Sequence, residues 1–171
     1  MSVPLQVAQF PAELRAVLDS EFALLALFAV FVLEGAMLLY FVPSELVVPG
    51  SLVLLGGDRV AVVVGVAVLG ATLGQYALFL AAKRGGRERL LRARWFRISE
   101  SHLDRFDAWF DRWGPVVVPV SNTLLFTRGM LTVPAGFSGM DDRRFLLLSA
   151  VGTLSFESIL AALYLGFDVV V

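Results

Sequence analysis

Long apolar runs separated by short polar stops organise this chain. Residues 60–82 carry no charge. They predict a membrane-crossing helix over 59–82, because a crossing needs about 20 predominantly apolar residues. Residues 145–167 predict a second crossing, which carries Gly152 and Glu157. Two other runs are apolar but interrupted. Residues 22–42 are long enough to cross, yet Glu34-Gly35 breaks them, and the following segment to residue 57 is too short to cross and holds Pro43, Pro49 and Gly50. Together 22–57 predict a re-entrant hairpin that dips into the membrane and returns; a full crossing by 22–42 is the alternative. Residues 114–140 predict a second such hairpin, with Pro115, Pro119, Gly129, Pro134 and Gly136 as breaks, and DDRR at 141–144 as a polar stop.

Two segments read as interfacial helices. Residues 9–20 mix apolar and polar positions at helical spacing, with Pro11 suited to a first turn. Residues 99–113 place Leu103, Phe106, Phe110 and Trp113 on one face, with Trp109 as an interfacial aromatic. Along 59–82, Gly70 and Gly74 with Ala67 and Ala71 form a small-residue face suited to close helix packing.

Composition agrees with a membrane class: 58% of residues are hydrophobic and mean hydropathy is +0.80, against about 45–50% apolar in soluble domains. No long polar segment marks a separate soluble domain, so a single membrane domain over 1–171 is expected. Glu13, Asp19 and Glu21 precede the first apolar run where a secretory signal would have basic residues. There is no cysteine and one histidine, His102. Thiolate and multi-histidine metal sites are thereby excluded, and no metal or cofactor is expected. His102 reads as a surface residue. Eight of the 14 basic residues lie in 83–105. The positive-inside rule makes that loop cytoplasmic in a multi-pass protein of the cell membrane. Tethered between apolar segments, it suits anionic headgroups rather than nucleic acid.

The two halves resemble each other. Val48-Pro49-Gly50, Gly57-Asp58-Arg59 and a crossing parallel Val133-Pro134-Ala135-Gly136, Asp141-Asp142-Arg143 and a crossing. A returning hairpin adds no net crossing, so the halves would have opposite orientation. The fold class expected is an all-α integral membrane protein of two inverted repeats, each a re-entrant broken-helix hairpin followed by a transmembrane helix, plus interfacial amphipathic helices.

Four charges interrupt the apolar runs. Glu34 and Glu45 are the only ones between Glu21 and Asp58, Arg128 the only one between Arg112 and Asp141, and Glu157 the only one between Arg144 and Asp168. A charge at bilayer depth costs about 2.5–3.5 kcal/mol or more, so such residues face a polar cavity or a partner. Arg128 suits a lipid phosphate, or an ion pair with Glu34 or Glu45. One arginine cannot neutralise three acids, which makes Glu34, Glu45 and Glu157 candidate proton sites. Ser44, Asn122 and Thr127 suit the lining of a path or the satisfaction of unwound backbone. Helix N-termini within the broken hairpins would favour an anionic headgroup.

The order Glu34, Pro43-Ser44-Glu45, Pro49-Gly50, then Phe110, Gly114, Arg128, Pro134-Ala135-Gly136, Met140, Phe145 and Gly152 resembles the DedA family of membrane proteins, which carry the VTT (SNARE-associated) domain. The resemblance runs from about Glu34 to Gly166. It implies a lipid transporter, flippase or scramblase, moving a lipid phosphate such as a polyprenyl phosphate between leaflets, with proton coupling proposed for some members. It maps the family's embedded acids to Glu34 and Glu45 and its second-hairpin arginine to Arg128. The chain departs from the family where Asn122 stands for an earlier arginine and Leu125 for a proline. The expected partners are membrane lipids with an anionic headgroup. A proton- or ion-coupled small-solute transporter on the same scaffold is the alternative. An enzyme is not expected, since no Ser-His pairing or His/Asp metal cluster is visible.

Overall fold

The computed structural model describes residues 22–39, 44–86, 100–125 and 127–170, with the side chains of 44, 100, 102, 103, 106 and 167–170 excepted. The helix expected over 9–20, Pro43, residues 87–99 of the basic loop, and the side chains of Ser44 and His102 lie outside them. Among the described residues seven α-helices follow in order: α1 Phe22–Gly35, α2 Ser44–Leu55, α3 Val60–Gly85, α4 Glu100–Trp113, α5 Val117–Thr123, α6 Thr132–Phe137 and α7 Asp142–Val170. Short 3-10 turns at Gly57–Arg59 and Gly114–Val116 lead into α3 and α5. No strand occurs among the described residues.

α3 has 26 residues and α7 has 29. At 1.5 Å per residue they are about 39 and 44 Å long, more than the ~30 Å hydrocarbon core of a bilayer. Both are apolar enough to cross, over Gly57–Gly85 and Asp142–Gly166. Each outruns its sequence boundary. α3 continues past residue 82 through Lys83 and Arg84, cations that complement the negative end of a helix. The DDRR segment is the start of α7 rather than a stop before it. Asp141 is its cap, the Oδ1 atom accepting a 3.0 Å hydrogen bond from the backbone N–H of Arg144.

The first apolar run does not form one continuous helix over 22–42. α1 ends at Gly35, where Leu38 N–H bonds to Leu33 O and Met37 N–H to Glu34 O. That is a Schellman end, with Met37 in the left-handed position at φ 58° that glycine usually takes. The expected breaks at Pro49, Gly50, Pro134 and Gly136 are not breaks. Pro49 and Gly50 lie inside α2, and Pro134 and Gly136 inside α6. Pro134 is in the first turn, where a helix N–H has no partner to lose. Pro49 forfeits a single intrahelical bond, to the Glu45 carbonyl, which α2 tolerates. The chain departs from helix after Gly35 and between Thr123 and Thr132 instead.

α3 and α7 run antiparallel. Lys83 near the end of α3 bonds to Asp142 at the start of α7, Gln75 meets Ser149 in the middle, and Gly57 abuts Tyr164 and Leu165. α1 packs chiefly on α3 and α5 on α7, while α6 packs on α3 and α2 on α7. The α1–α3 contact uses the small-residue face expected from sequence. A Cβ on Gly70 or Gly74 would collide with the α1 backbone at Phe28 and Val32. Gly152 does the same for α5, its Cα facing Pro119 and Asn122.

Two apolar cores occupy opposite ends. Phe31, Val48, Leu52, Val63, Ala67, Phe156 and Leu160 pack at one end. Phe79, Val118, Ala135, Met140 and Phe145 pack at the other, with Phe79 and Phe145 stacked at 4.2 Å. Between them lies a polar layer. α7 is inverted relative to a helix of a soluble protein: Leu147 and Leu163 are 69% and 54% exposed, while Ser149, Thr153 and Glu157 are 0%, 0% and 1% exposed. An apolar outer face over a polar inner stripe is what lipid as solvent selects.

Candidate functional site

The polar layer is built from three elements, two of which end or turn at mid-height while α7 runs through it. α1 stops one residue past Glu34, α7 carries Glu157, and the turn between α5 and α6 carries Arg128. Glu157 is about 22 Å along the axis from Asp142 and about 13 Å from Gly166. The Arg128 side chain is 5% exposed. Its Nε and Nη2 donate to the two carboxylate oxygens of Glu34 at 3.0 and 3.3 Å, the bidentate fork that guanidinium favours. Nη2 also donates to Glu157 Oε1 at 2.5 Å. The guanidinium carbon lies 4.2 Å from the centroid of the Phe156 ring, so a π face covers the cation. Arg128 Nη1 and Glu157 Oε2 are buried and have no hydrogen-bond partner among the described residues.

The turn holding Arg128 is fixed from below. Ser121 Oγ donates to Thr127 O at 2.5 Å and Thr127 Oγ1 donates to Ser121 O at 3.1 Å. Gly129 adopts φ 72° and donates its N–H to Asn122 Oδ1 at 3.2 Å. Asn122 in turn donates to Gln75 Oε1 at 2.8 Å and Ser149 Oγ at 3.3 Å, and Ser149 donates to Gln75. One carboxamide thus ties α5, α3, α7 and the Arg128 turn together. The tips of the two broken segments also meet, with Gly129 against Met37.

Glu34 and Arg128 come together as one of the sequence-derived pairings anticipated. Glu45, the other anticipated partner, does not join them. It is half-buried on α2 and has no hydrogen bond or ion pair among the described residues. Glu157 takes that place at the centre of the cluster. Asn122 binds protein groups through both ends of its carboxamide. Gln75, Ser149, Thr153 and Thr72 belong to the layer and were not singled out from sequence. The signal was present: Ser149, Thr153 and Glu157 recur every four residues on one face of α7. No group of acidic, histidine or cysteine residues that would hold a metal ion occurs among the described residues.

A second cluster closes the other end of the α3–α7 pair. Lys83 Nζ donates to Asp142 Oδ1 and to Met140 O, each at 2.7 Å, and Tyr76 Oη donates to Asp142 Oδ2 at 3.2 Å.

Comparison with known proteins places these features in a lineage. The family model described as the VTT domain matches residues 24–166. Undecaprenyl phosphate transporter A of Staphylococcus aureus is 26% identical over 141 residues, covering 78% of this chain and 68% of that protein. Undecaprenyl phosphate transporter A of Bacillus subtilis is 28% identical over 130 residues, covering 73% of this chain and 64% of that protein. Inner membrane protein YghB of Salmonella typhimurium is 27% identical over 126 residues, covering 70% and 56%. The chain thus spans roughly two thirds or less of the length of these relatives. No solved structure matches the chain.

Proposed function

The chain belongs to the VTT-domain (DedA) family of membrane proteins, and from that premise we propose that it moves a lipid phosphate, of the polyprenyl phosphate class, between membrane leaflets. The observation that carries this reading is Arg128, a guanidinium at mid-height of the helical layer with one amino group unpaired. A guanidinium presents its donors in a plane that fits phosphate oxygens. Arg128 Nη1 is the first donor available to an incoming headgroup. The Glu34 fork holds the remaining donors in reserve. The two relatives named as undecaprenyl phosphate transporters support the cargo class.

The transport cycle proposed is alternating access by two inverted halves, residues 22–85 and 100–170. Three features support it. α3 and α7 are antiparallel, so each half crosses in the opposite sense. The first arm of each half, α1 or α5, packs on its own crossing helix. The second arm, α2 or α6, packs on the crossing helix of the other half. In this reading α1–α2 and α5–α6 are re-entrant arms whose bends meet near the midplane. The Lys83–Arg84 end of α3 faces the cytoplasm together with the basic loop. Transport is coupled to protons, with Glu34, Glu45 and Glu157 as the carboxylates available.

Reconstitution in liposomes tests the proposal. Headgroup-accessible polyprenyl phosphate and labelled phospholipids are placed in one leaflet and their appearance in the other is timed. The expected result is exchange of the lipid phosphate well above that of empty liposomes. Exchange no faster than in empty liposomes, for every lipid phosphate and phospholipid tried, refutes the lipid reading.

A further inference from the structure

Four buried side-chain atoms lack a hydrogen-bond partner among the described residues: Thr72 Oγ1, Thr153 Oγ1, Glu157 Oε2 and Arg128 Nη1. Buried polar groups are nearly always satisfied, so each exception calls for an occupant or a use. Thr153 precedes Glu157 by one turn on the inner face of α7, which stacks the two side chains. Thr72 lies on the face of α3 that meets α7. It precedes Gln75, Tyr76 and Phe79 by three, four and seven residues, and those three contact Ser149, Asp142 and Phe145 of α7. The antiparallel register set by Lys83 with Asp142 and Gln75 with Ser149 brings Thr72 level with Thr153. The two hydroxyls and the free carboxylate oxygen therefore line one stripe, with no hydrogen bond between any two of them.

Charge says what the stripe is for. The cluster holds one guanidinium and two carboxylates. Fully ionised, it buries a net negative charge, which is costly in a dry interior and repels a phosphate. Water in the stripe would satisfy hydrogen bonds but leave the charge. A proton removes it. Among the acids, the open position is on Glu157. Both oxygens of Glu34 are engaged by Arg128, whereas Glu157 uses only Oε1. The titratable and charged groups that face Glu157 are few. α1 supplies Glu34 and the α5–α6 turn supplies Arg128. Glu45 is the only titratable residue of α2, and Tyr76 the only one of α3 between Arg59 and Lys83.

We propose that Glu157 Oε2, reached through water held by the Thr153 and Thr72 hydroxyls, is the seat of the single proton that neutralises the Arg128 cluster and opens Arg128 Nη1 to phosphate. This deepens the lipid-phosphate reading and rests on it for the last clause. In the step, a proton leaves a donor water or hydronium and forms an O–H bond on Glu157 Oε2. The new O–H donates to a water held in the stripe by the Thr153 and Thr72 hydroxyls, neither of which hydrogen-bonds Oε2 directly. No electrons are transferred. Arg128 keeps its fork to Glu34 and now faces a neutral assembly, so an anionic headgroup approaches without net repulsion.

Two readouts test it. Infrared difference spectroscopy of the reconstituted protein across a pH titration follows protonated carboxyl groups without any transport. The expected result is a carboxyl C=O band that titrates with a one-proton slope, vanishes in Glu157→Gln, persists in Glu34→Gln and Glu45→Gln, and moves its midpoint in Thr153→Val and in Thr72→Val. In the liposome assay, exchange falls as pH rises with the same midpoint as the band, and Glu157→Gln makes exchange independent of pH. Ser155→Ala, on α7 outside the stripe, leaves the profile unchanged. A band that vanishes in Glu34→Gln or Glu45→Gln instead, or a midpoint unmoved by both threonine variants, overturns the proposal. So does exchange that follows sodium concentration at fixed pH. If the wild-type protein exchanges no lipid, the transport reading fails, and the infrared titration still decides the proton seat.

Discussion

Removing the cation from the buried cluster separates its structural role from its transport role. Arg128→Met replaces the guanidinium with an apolar chain of comparable reach that can still lie on Phe156. Glu34 and Glu157, with side chains 10% and 1% exposed, then lose their only cationic partner among the described residues. Breaking a buried ion pair from one side costs about 3–5 kcal/mol, because an uncompensated charge remains. The loss of the cation–π contact adds about 1–2 kcal/mol, partly returned by sulfur against the ring. The variant is therefore expected to lose about 3–5 kcal/mol in reversible unfolding from mixed micelles. Adding Glu34→Gln and Glu157→Gln removes both stranded charges while keeping shape. The triple variant is expected to recover at least half of the loss, the residue being imperfect amide hydrogen bonds at about 1–3 kcal/mol. It should fold and insert yet exchange no lipid. An Arg128→Met loss under about 1 kcal/mol, or a triple variant no more stable than the single one, refutes the electrostatic account of the cluster.

Other perturbations follow from the same geometry. Gly152→Val puts a Cβ about 2.6 Å from Pro119 O and 2.7 Å from Asn122 Cβ; unfolding should show a loss of about 1–3 kcal/mol or more from overpacking. Gly65→Ala, with nothing within 4 Å, should instead gain about 0.5–1 kcal/mol from helix propensity. Asn122→Ala leaves Gly129 N–H, Gln75 and Ser149 without their shared partner, and hydrogen exchange should find the Gly129 amide less protected, with a stability loss of about 1–3 kcal/mol. Asp142→Asn acts on a pair whose side chains are 32% and 39% exposed, so unfolding should shift by less than about 1 kcal/mol and the difference should shrink with added salt.

Much of this architecture was legible along the chain because lipid as solvent writes it in plain terms. The charge-free run before Lys83 and the run after Arg144 became α3 and α7. The Gly70–Gly74 face became the α1 contact, since only glycine allows that backbone approach. What misled was punctuation. Pro49 and Pro134 read as breaks, but Pro134 stands in a first turn with no helix bond to lose, and α2 continues through Pro49 despite the missing bond to the Glu45 carbonyl. The true ends, at Gly35 and Thr123, depend on hydrogen bonds to Met37 and on Asn122, which no local pattern announces. Arg128 and Glu34 could be paired from their isolation in apolar runs. Choosing Glu157 over Glu45 meant following the four-residue spacing of Ser149, Thr153 and Glu157 along α7, a polar stripe whose inward rotation its packing on α3 then sets. Gln75 was hidden: a single amide in an apolar run gains meaning from the Asn122 that meets it.

The claim on which the account turns is that the Arg128 guanidinium receives a lipid phosphate, Nη1 first. Arg128→Lys keeps the charge and removes the planar pair of donors, so leaflet exchange of polyprenyl phosphate in liposomes tests that claim most directly. The wild-type protein should exceed empty liposomes, and Arg128→Lys, inserted at the same level, should fall by about tenfold or more, the ~1.4 kcal/mol or greater that a bidentate charge-assisted contact supplies. Equal exchange by Arg128→Lys and wild type would contradict it.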